Sequence, residues 1–259
     1  MKPRVLAIFL ALIHLSSRAA STGEKPVTVY FTENKPVACL KIGQPTCFGL
    51  WVAVQALTSG AIPFVIREVP WKRAESNIRT DPDAVFVATL RMPSNEDRYG
   101  WVAPLYSDRT ILMGLKPPSD ITERSLVGVR AGSPFTAEAH RNGWTPVEIS
   151  SWNSAEKMLQ SGRLDYVYAT RMVIEYNFVQ TFTDSKAMTR TYDGEVAWWI
   201  IAGRDDHESP SVIALRDAVN EFTKTADYRA KLDAMREGAW FRSCASIETD
   251  AGSQCGRSR

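Results

Sequence analysis

The sequence predicts an α/β protein built as two lobes. Short β-like runs of apolar residues alternate with segments of helical spacing, and this alternation is typical of α/β folds. The chain has 259 residues, whereas single domains cluster at about 100 to 150 residues. No internal repeat or low-complexity linker is found. We therefore expect two lobes that are joined by ordered crossings of the chain and not by a flexible tether.

Eight apolar runs, rich in β-branched and aromatic residues, are predicted to be strands. They cover residues 27–31, 64–69, 84–90, 111–115, 126–129, 147–149, 165–170 and 198–202.

Four helices are predicted from apolar spacing and from capping residues. The first covers residues 49–57, which place Leu50, Val54 and Leu57 on one face. The second begins at Asn153, with Glu156 at the N3 position, and stops at Gly162. Two helices near the C-terminus, the first opened by Ser209, are expected to pack on the sheet.

Residues 1–21 are predicted to be a secretory signal peptide. Lys2 and Arg4 precede an apolar run that is too short to span a bilayer, and small residues follow it. Cleavage after Ala19 and cleavage after Ser21 both satisfy the small-residue rule. We expect an exported protein without membrane insertion.

The charge balance of the exported chain argues against nucleic-acid binding. Removal of residues 1–19 takes away three basic residues and no acidic one, so that 31 basic residues become 28 against 29 acidic ones. The net charge therefore changes from +2 to −1. A protein that neutralises phosphates needs a basic surplus, and this chain has none.

The four cysteines form two close pairs in the sequence, Cys39 with Cys47 and Cys244 with Cys255. An exported chain meets an oxidising compartment, so two local disulfides are the favoured interpretation among the three possible pairings. A zinc site is the alternative, although the spacings are not those of C-x-x-C and no histidine is near.

A series of short motifs runs through the exported chain in a specific order. They are Val-Pro-Trp-Lys-Arg-Ala (69–74), Asp-Ala (83–84), Leu-Arg (90–91), Arg-Tyr-Gly-Trp-Val-Ala-Pro-Leu (98–105), Val-Gly-Val-Arg-Ala-Gly-Ser (127–133) and Met-Leu-Gln-Ser-Gly-Arg-Leu-Asp (158–165). In their order and spacing they resemble the bacterial extracellular solute-binding proteins of the polar amino-acid type (family 3). These are two-lobed periplasmic receptors that usually feed ABC transporters. The resemblance covers nearly all of the exported chain.

The resemblance implies two α/β lobes joined by a two-strand hinge, the type II periplasmic-binding-protein fold. Lobe 1 would comprise residues 22–107 and 194–259, and lobe 2 residues 108–193. The hinge strands would cross near residues 107–109 and 191–194 and close the lobes over a small molecule. Relatives of this size usually work as monomers, so we expect a monomer.

The charges that hold an α-amino acid in relatives are missing from this chain. Relatives use an arginine of lobe 1 for the carboxylate and an aspartate of lobe 2 for the ammonium. The matching positions here are Asn95 and Thr170, which are predicted to contact the ligand as uncharged residues. Arg91 and Arg130 are candidates for replacing the positive charge, and Gly132 with Ser133 offers backbone N–H groups beside Arg130. The ligand is expected to be polar and to bear a carboxylate, but not to be an ordinary α-amino acid.

Three further residues are candidate ligand contacts. Trp71 lies where relatives place an aromatic platform, and Tyr30 and Glu33 follow the first strand, in a loop that reaches the cleft in relatives. Each candidate also has a simpler interpretation. Trp71 is then a core residue, Glu33 and Arg130 are solvated, and Arg91 is occupied by a nearby acid such as Glu96.

The resemblance implies a periplasmic protein that captures a small ligand by hinge closure and passes it to a membrane permease. Catalysis, a metal and a cofactor are not expected, since the exported chain keeps only His140 and His207 and no catalytic motif. Two alternatives remain. One is an enzyme similar to cyclohexadienyl dehydratase, with Glu33 and Glu175 as the cleft-side carboxylates; the other is a free receptor that presents its ligand to a sensor.

Overall fold

The computed structural model describes residues 25–41, 44–182, 188–205 and 208–237. The predicted signal peptide, the pair Cys244 and Cys255, and His207 lie outside the described residues.

Eight strands form one mixed sheet in the order β4-β1-β5-β10-β6-β9-β7-β8. They are β1 (Val27–Phe31), β4 (Phe64–Glu68), β5 (Ala84–Arg91), β6 (Gly100–Gly114), β7 (Leu126–Arg130), β8 (Thr145–Ile149), β9 (Tyr166–Thr170) and β10 (Met188–Ala202). A separate two-stranded pair consists of β2 (Leu40–Lys41) and β3 (Gln44–Pro45).

Two long antiparallel strands, β6 and β10, run through the middle of the sheet, and each has 15 residues. Parallel strands β4, β1 and β5 continue the sheet on one side, where β5 pairs with Ala197–Ile201 of β10. On the other side β9 pairs with Thr110–Gly114 of β6, followed by β7 and β8. We call the half with β1, β4 and β5 lobe 1 and the half with β7, β8 and β9 lobe 2. The prediction of two α/β lobes joined by two strands is confirmed.

Within the long pair, the register shifts between Tyr192 and Glu195, where Gly194 has φ +94°. This irregularity lies at the predicted crossing near residues 191–194. The lobe boundaries at 107/108 and 193/194 stay a prediction.

Seven helices of the described chain cover the sheet. They are α1 (Phe48–Ser59), α2 (Trp71–Ile78), α3 (Phe135–Arg141), α4 (Trp152–Gln160), α5 (Arg171–Phe182), α6 (Pro210–Phe222) and α7 (Ala226–Arg236). Short 3₁₀ turns cover Glu96–Arg98 and Pro118–Asp120. Helix α1 is buried on most of its surface, and it packs against α6. Within the described ranges, no helix has the length and the apolar character needed to cross a membrane.

The start of α4 corrects one sequence prediction. Its N-cap is Ser151, whose hydroxyl accepts a hydrogen bond from the Ser154 N–H at 3.1 Å, so Asn153 lies inside the first turn. Ser151 has the extended backbone that an N-cap needs (φ −150°). The predicted start of α6 is confirmed, with Ser209 as N-cap and Pro210 as first helical residue.

Two predicted strands were too short. Residues 111–115 and 198–202 belong to the two long strands β6 and β10, whose polar middle segments hide their continuity in the sequence. Helices α2, α3 and α5 were not predicted from spacing. The disulfide between Cys39 and Cys47 is confirmed, with Cα atoms 5.1 Å apart.

Candidate functional site

A cavity of about 160 Å³ lies between the two lobes. Lobe 1 contributes the loop after β1, the first residue of α2, and parts of β5 and β10. Lobe 2 contributes the turn after β7 and residues of α3, α4, β9 and α5. Most of the lining side chains are apolar or aromatic, with a few polar groups, which is the usual composition of a small-molecule site.

The loop after β1 forms the lobe 1 rim of the cavity. Its conformation is held by the Thr32 hydroxyl, which donates to the Val69 carbonyl at 2.8 Å, and by a β-bridge between Asn34 and Ala38. Glu33 lines the cavity from this loop, and its side chain is exposed. Glu33 therefore lies at the mouth of the cavity and not in its floor.

The turn after β7 forms the lobe 2 rim, and it is held by Ser133. The Ser133 hydroxyl donates to the Arg130 carbonyl at 2.6 Å, and the Ser133 N–H donates to the same oxygen at 3.0 Å. Both donors of Ser133 are therefore used inside the turn, which corrects the expectation that its N–H is free for a ligand. Gly132 has φ +74°, a conformation that favours glycine.

Arg130 is the only cationic residue among the described residues that line the cavity. Its guanidinium is half-buried and donates to the Ser150 carbonyl. Burial lowers the pKa of this guanidinium, which nevertheless stays charged at neutral pH. No carboxylate of the described residues lies within 4.0 Å of it. Arg130 is thus a partly desolvated cation without a counter-ion in the described chain.

Trp71 lines the cavity from lobe 1 and meets lobe 2 across it. Its ring packs edge-on against Phe86, with centroids 4.8 Å apart. A Cβ added to Gly132 would lie 3.9 Å from the Trp71 Cδ1 atom. Since Gly132 has no Cβ, the two lobes leave room for about one methyl group at this point, and Trp71 forms the lobe 1 side of the cavity there.

Arg91 and Asn95 do not line the cavity. Arg91 pairs with Glu96, and this hydrogen bonding raises the pKa of the guanidinium. The same guanidinium lies 5.3 Å from the ring centre of Trp101 and 4.7 Å from that of Trp199. The simpler interpretation of Arg91, occupation by a nearby acid, is the arrangement that the structure shows.

Asn95 is buried and bonded to backbone. Its amide oxygen accepts from the Met92 N–H at 2.9 Å, and its amide nitrogen donates to the Leu90 carbonyl at 2.8 Å. These bonds hold the turn after β5.

Tyr30 and Thr170 also lie outside the cavity lining. Tyr30 packs on a small apolar cluster that includes Phe86 and Tyr99. Thr170 is fully buried at the end of β9 beside Asp108. Of the eight predicted ligand contacts, the structure brings Glu33, Trp71, Arg130 and Ser133 to one cavity, and the binding role of each stays a prediction.

Many cavity-lining residues were not predicted from the sequence, among them Thr89 on β5, Trp152 on α4 and Trp198 on β10. Trp198 lies in a predicted apolar strand, and such a position favours a core residue. When one end of an apolar strand reaches the cleft, the sequence pattern does not distinguish a core residue from a ligand contact. For Trp152, its position after Ser150 and Ser151, just past a strand, was an available signal.

A second cavity of about 690 Å³ lies beside the hinge and is lined mainly by charged residues. Glu175 belongs to it and pairs with Arg171 at 2.5 Å. Glu33 and Glu175 therefore line different cavities, and the structure does not combine them into the acid and base of one catalytic site.

Several solved structures share this arrangement of strands and helices. The GluR0 ligand-binding core from Nostoc punctiforme in complex with L-glutamate superposes with a TM-score of 0.67 and 16% identity, over 81% of this chain and 99% of that one. The arginine-, lysine-, histidine-binding protein ArtJ from Geobacillus stearothermophilus superposes with a TM-score of 0.62 and 14% identity, over 82% of this chain and 100% of that one. A histidine kinase sensor domain with similarity to periplasmic binding proteins superposes with a TM-score of 0.66 and 14% identity, over 82% of this chain and 95% of that one.

The chain has the two-lobed fold of the periplasmic binding proteins. The likeness extends over nearly the full length of each compared chain, and at this low identity it shows the fold alone. The sequence matches no protein-family model and no curated protein. Small-molecule sites occur preferentially at interfaces between domains, and the 160 Å³ cavity takes its walls from both lobes.

Proposed function

We propose that this protein is a periplasmic solute-binding protein that captures a small carboxylate-bearing ligand between its lobes. The observation that carries the proposal is Arg130, a half-buried cation in the cavity wall with no carboxylate of the described chain within 4.0 Å. A bound carboxylate would supply the missing counter-ion.

The electrostatics of Arg130 support an anionic ligand. Moving a charge out of water costs free energy unless a partner compensates, and the lowered pKa of Arg130 reflects this desolvation. A guanidinium binds a carboxylate through two parallel hydrogen bonds, which makes the pair strong and directional. A ligand carboxylate therefore gains more from this site than a neutral group does.

The hinge supports capture by closure. The cavity takes its walls from both lobes, and only two strands, β6 and β10, join them in the described chain. A ligand that contacts Arg130 in lobe 2 and Trp71 in lobe 1 stabilises the closed arrangement relative to an open one.

A membrane permease of the ABC type is the proposed recipient of the ligand. An amino acid ABC transporter substrate-binding protein from Streptococcus pneumoniae, bound to L-arginine, has this fold with a TM-score of 0.61. The sensor alternative is supported by the histidine kinase sensor domain with the same fold. Pull-down of the ligand-bound protein with a permease, as opposed to a sensor kinase, separates the two.

Thermal-shift screening followed by calorimetry tests the proposal. The ligand-free protein is screened against amino acids, small organic acids, amines and sugars, and we expect the hits to be carboxylates. Arg130→Ala is expected to weaken the best hit by about 10- to 100-fold, the value of a charge-assisted hydrogen bond. Arg91→Ala is the matched control, since Arg91 lies outside the cavity and should leave affinity unchanged. Retained affinity in Arg130→Ala, or a best hit without a carboxylate, contradicts the proposal.

A further inference from the structure

The wall of the cavity between the lobes is mostly hydrocarbon. Besides aliphatic side chains it contains aromatic rings from both lobes, namely Trp71, Phe86, Phe135, Trp152 and Trp198. The indole nitrogens of Trp152 and Trp198 are buried inside the protein, so these two rings offer only carbon atoms to a ligand. A ligand body that contacts such a wall loses its water and gains few polar contacts, which favours an apolar body.

The hydroxyl groups of the described wall have no donor left for a ligand. The Thr32 hydroxyl donates to the Val69 carbonyl at 2.8 Å, and the Ser133 hydroxyl donates to the Arg130 carbonyl at 2.6 Å. The Thr89 hydroxyl oxygen is buried and is not exposed to the cavity. A hydroxyl or a second carboxylate on the ligand body would therefore lose hydrogen bonds to water that these groups do not replace, and this loss costs free energy.

The charged residues of the wall fit one anionic group and no cationic group. Arg130 is the only cation among the described lining residues, and the Ser150 carbonyl takes one of the five N–H donors of its guanidinium. Glu33 is the only carboxylate of the described lining, and it is exposed at the mouth. An ammonium group inside the cavity would have no buried acidic partner among these residues, and an unpaired buried charge is costly.

The volume of the cavity limits the length of the ligand. At about 160 Å³, it is below the range of about 300 to 1,000 Å³ that is usual for small-molecule sites. Beside its carboxylate, the ligand therefore has only a few carbon atoms.

We infer that the ligand is a short monocarboxylate with an aliphatic body and no ammonium group, of the size of 3-methylbutanoate. The inference rests on the proposed function, because it takes the carboxylate to bind Arg130. The aliphatic body packs between Trp71 of lobe 1 and the apolar side chains of lobe 2. The polar ligand that is expected from the sequence is thereby narrowed to one whose only polar group is its carboxylate.

Four compounds of nearly the same shape test the inference by calorimetry on the ligand-free protein. Compared with 3-methylbutanoate, 3-hydroxybutanoate replaces one methyl group by a hydroxyl, valine adds an ammonium, and 3-methylbutanamide removes the negative charge. We expect 3-methylbutanoate to bind about 10- to 100-fold more tightly than 3-hydroxybutanoate, which is the discrimination that an apolar pocket achieves against a hydroxyl isostere. Valine and the amide are each expected to bind at least about tenfold more weakly than 3-methylbutanoate.

A variant of the wall assigns the preference to the cavity. Trp71→Gln places an amide in the apolar wall, and we expect it to reduce the preference for 3-methylbutanoate over 3-hydroxybutanoate by about fivefold, the value of one hydrogen bond. Trp101→Gln is the matched control, because Trp101 packs on the same small apolar cluster as Trp71 but lies outside the cavity. The control should keep the preference. Since the preference is a ratio measured on one protein, a loss of folded protein cancels in it.

The outcomes separate the inference from the proposed function. If valine or 3-hydroxybutanoate binds as tightly as 3-methylbutanoate, or if 3-methylbutanoate does not bind at millimolar concentration, the inference is wrong, and the wider screen still decides whether the protein is a carboxylate receptor. An unchanged preference in Trp71→Gln also overturns the inference. If 3-methylbutanamide binds as tightly as 3-methylbutanoate, the proposed function fails and the inference fails with it.

Discussion

The carboxylate of Asp108 accepts a hydrogen bond from the backbone N–H of Met172, with an N···O distance of 3.2 Å. Asp108 lies in the middle of the hinge strand β6, and Met172 lies in the first turn of α5. The bond therefore ties a helix of lobe 2 to the strand that connects the lobes. The positive N-terminal end of the helix dipole also stabilises a carboxylate at this position.

The burial of the Asp108 carboxyl predicts a pH dependence of stability. Burial raises the pKa of the Asp108 carboxyl, and the N–H groups of Arg109 and Met172 only partly oppose the rise. The folded protein therefore holds this proton more tightly than the unfolded chain does. The contribution of Asp108 to the free energy of unfolding is present below about pH 4 and is lost as pH rises through the raised pKa.

Asp108→Asn tests this dependence, because the amide keeps an acceptor for the Met172 N–H and does not ionise. We expect the free energy of unfolding of the variant, relative to the native protein, to rise from pH 4 to pH 7 in urea titrations. Asp165→Asn is expected to lower the free energy of unfolding relative to the native protein above about pH 4, and this difference should shrink as the pH falls further. Burial raises the pKa of Asp165, but the Lys116 ammonium and the Leu126 N–H outweigh it and lower the pKa. Parallel profiles for native protein and Asp108→Asn would contradict the assignment.

Thr89→Val is predicted to stabilise the ligand-free protein. Valine has nearly the same shape as threonine and removes a buried hydroxyl that has no partner. Relief of this unsatisfied group is expected to raise the free energy of unfolding by about 1 kcal/mol. The measurement is a shift of the urea midpoint with an unchanged slope.

The control for this prediction is Thr32→Val, which removes a hydroxyl that donates to the Val69 carbonyl at 2.8 Å. It should lower the free energy of unfolding by about 1 kcal/mol. Destabilisation by both variants to the same extent would show that the Thr89 hydroxyl has a partner.

Asn95→Ala is predicted to destabilise the protein without changing ligand affinity. The Asn95 side chain is buried and makes two hydrogen bonds to backbone in the turn after β5. Its removal leaves the Met92 N–H and the Leu90 carbonyl unpaired, at an expected cost of about 1 to 3 kcal/mol in the free energy of unfolding. Chemical denaturation gives this cost, and calorimetry with the best carboxylate gives the affinity. A loss of affinity larger than the loss caused by Arg130→Ala would restore Asn95 as a ligand contact.

The disulfide between Cys39 and Cys47 is predicted to support both stability and binding. It closes a short loop next to the segment that forms the lobe 1 rim of the cavity. Replacing both cysteines by serine is expected to cost about 2 to 3 kcal/mol in the free energy of unfolding, on the loop-entropy model. Because the freed rim must be ordered again on binding, affinity should also fall. Unchanged affinity would show that the rim is held by its hydrogen bonds alone.

Several elements could be predicted from the sequence because their signals are local. The strand at residues 27–31 and the start of α6 at Ser209 agree with the structure, since both depend on patterns within a few residues. The start of α4 was misplaced by two residues, because Ser151 and Asn153 are both good caps and the backbone of Ser151 decided between them.

The candidate site was predicted only in part, because the sequence does not show which arginine already has a carboxylate partner in the folded protein. Arg91 has Glu96 five residues away, and the two pair with each other outside the cavity. Arg130 has no carboxylate of the described chain within 4.0 Å, so its charge is available in the cavity. Trp152 and Trp198 were missed because a tryptophan in an apolar segment has the same sequence signature in a core and in a cleft.

The sequence by itself determined the α/β alternation, the two-lobed order of the motifs and the local pair Cys39 and Cys47, since each depends on spacing along the chain. Only the tertiary structure decided that Thr89, Trp152 and Trp198 surround the same cavity as Arg130. These residues lie on four different elements from both lobes. Their convergence depends on the register of the long strands and on the closeness of the lobes, which arise from packing between segments that are distant in sequence.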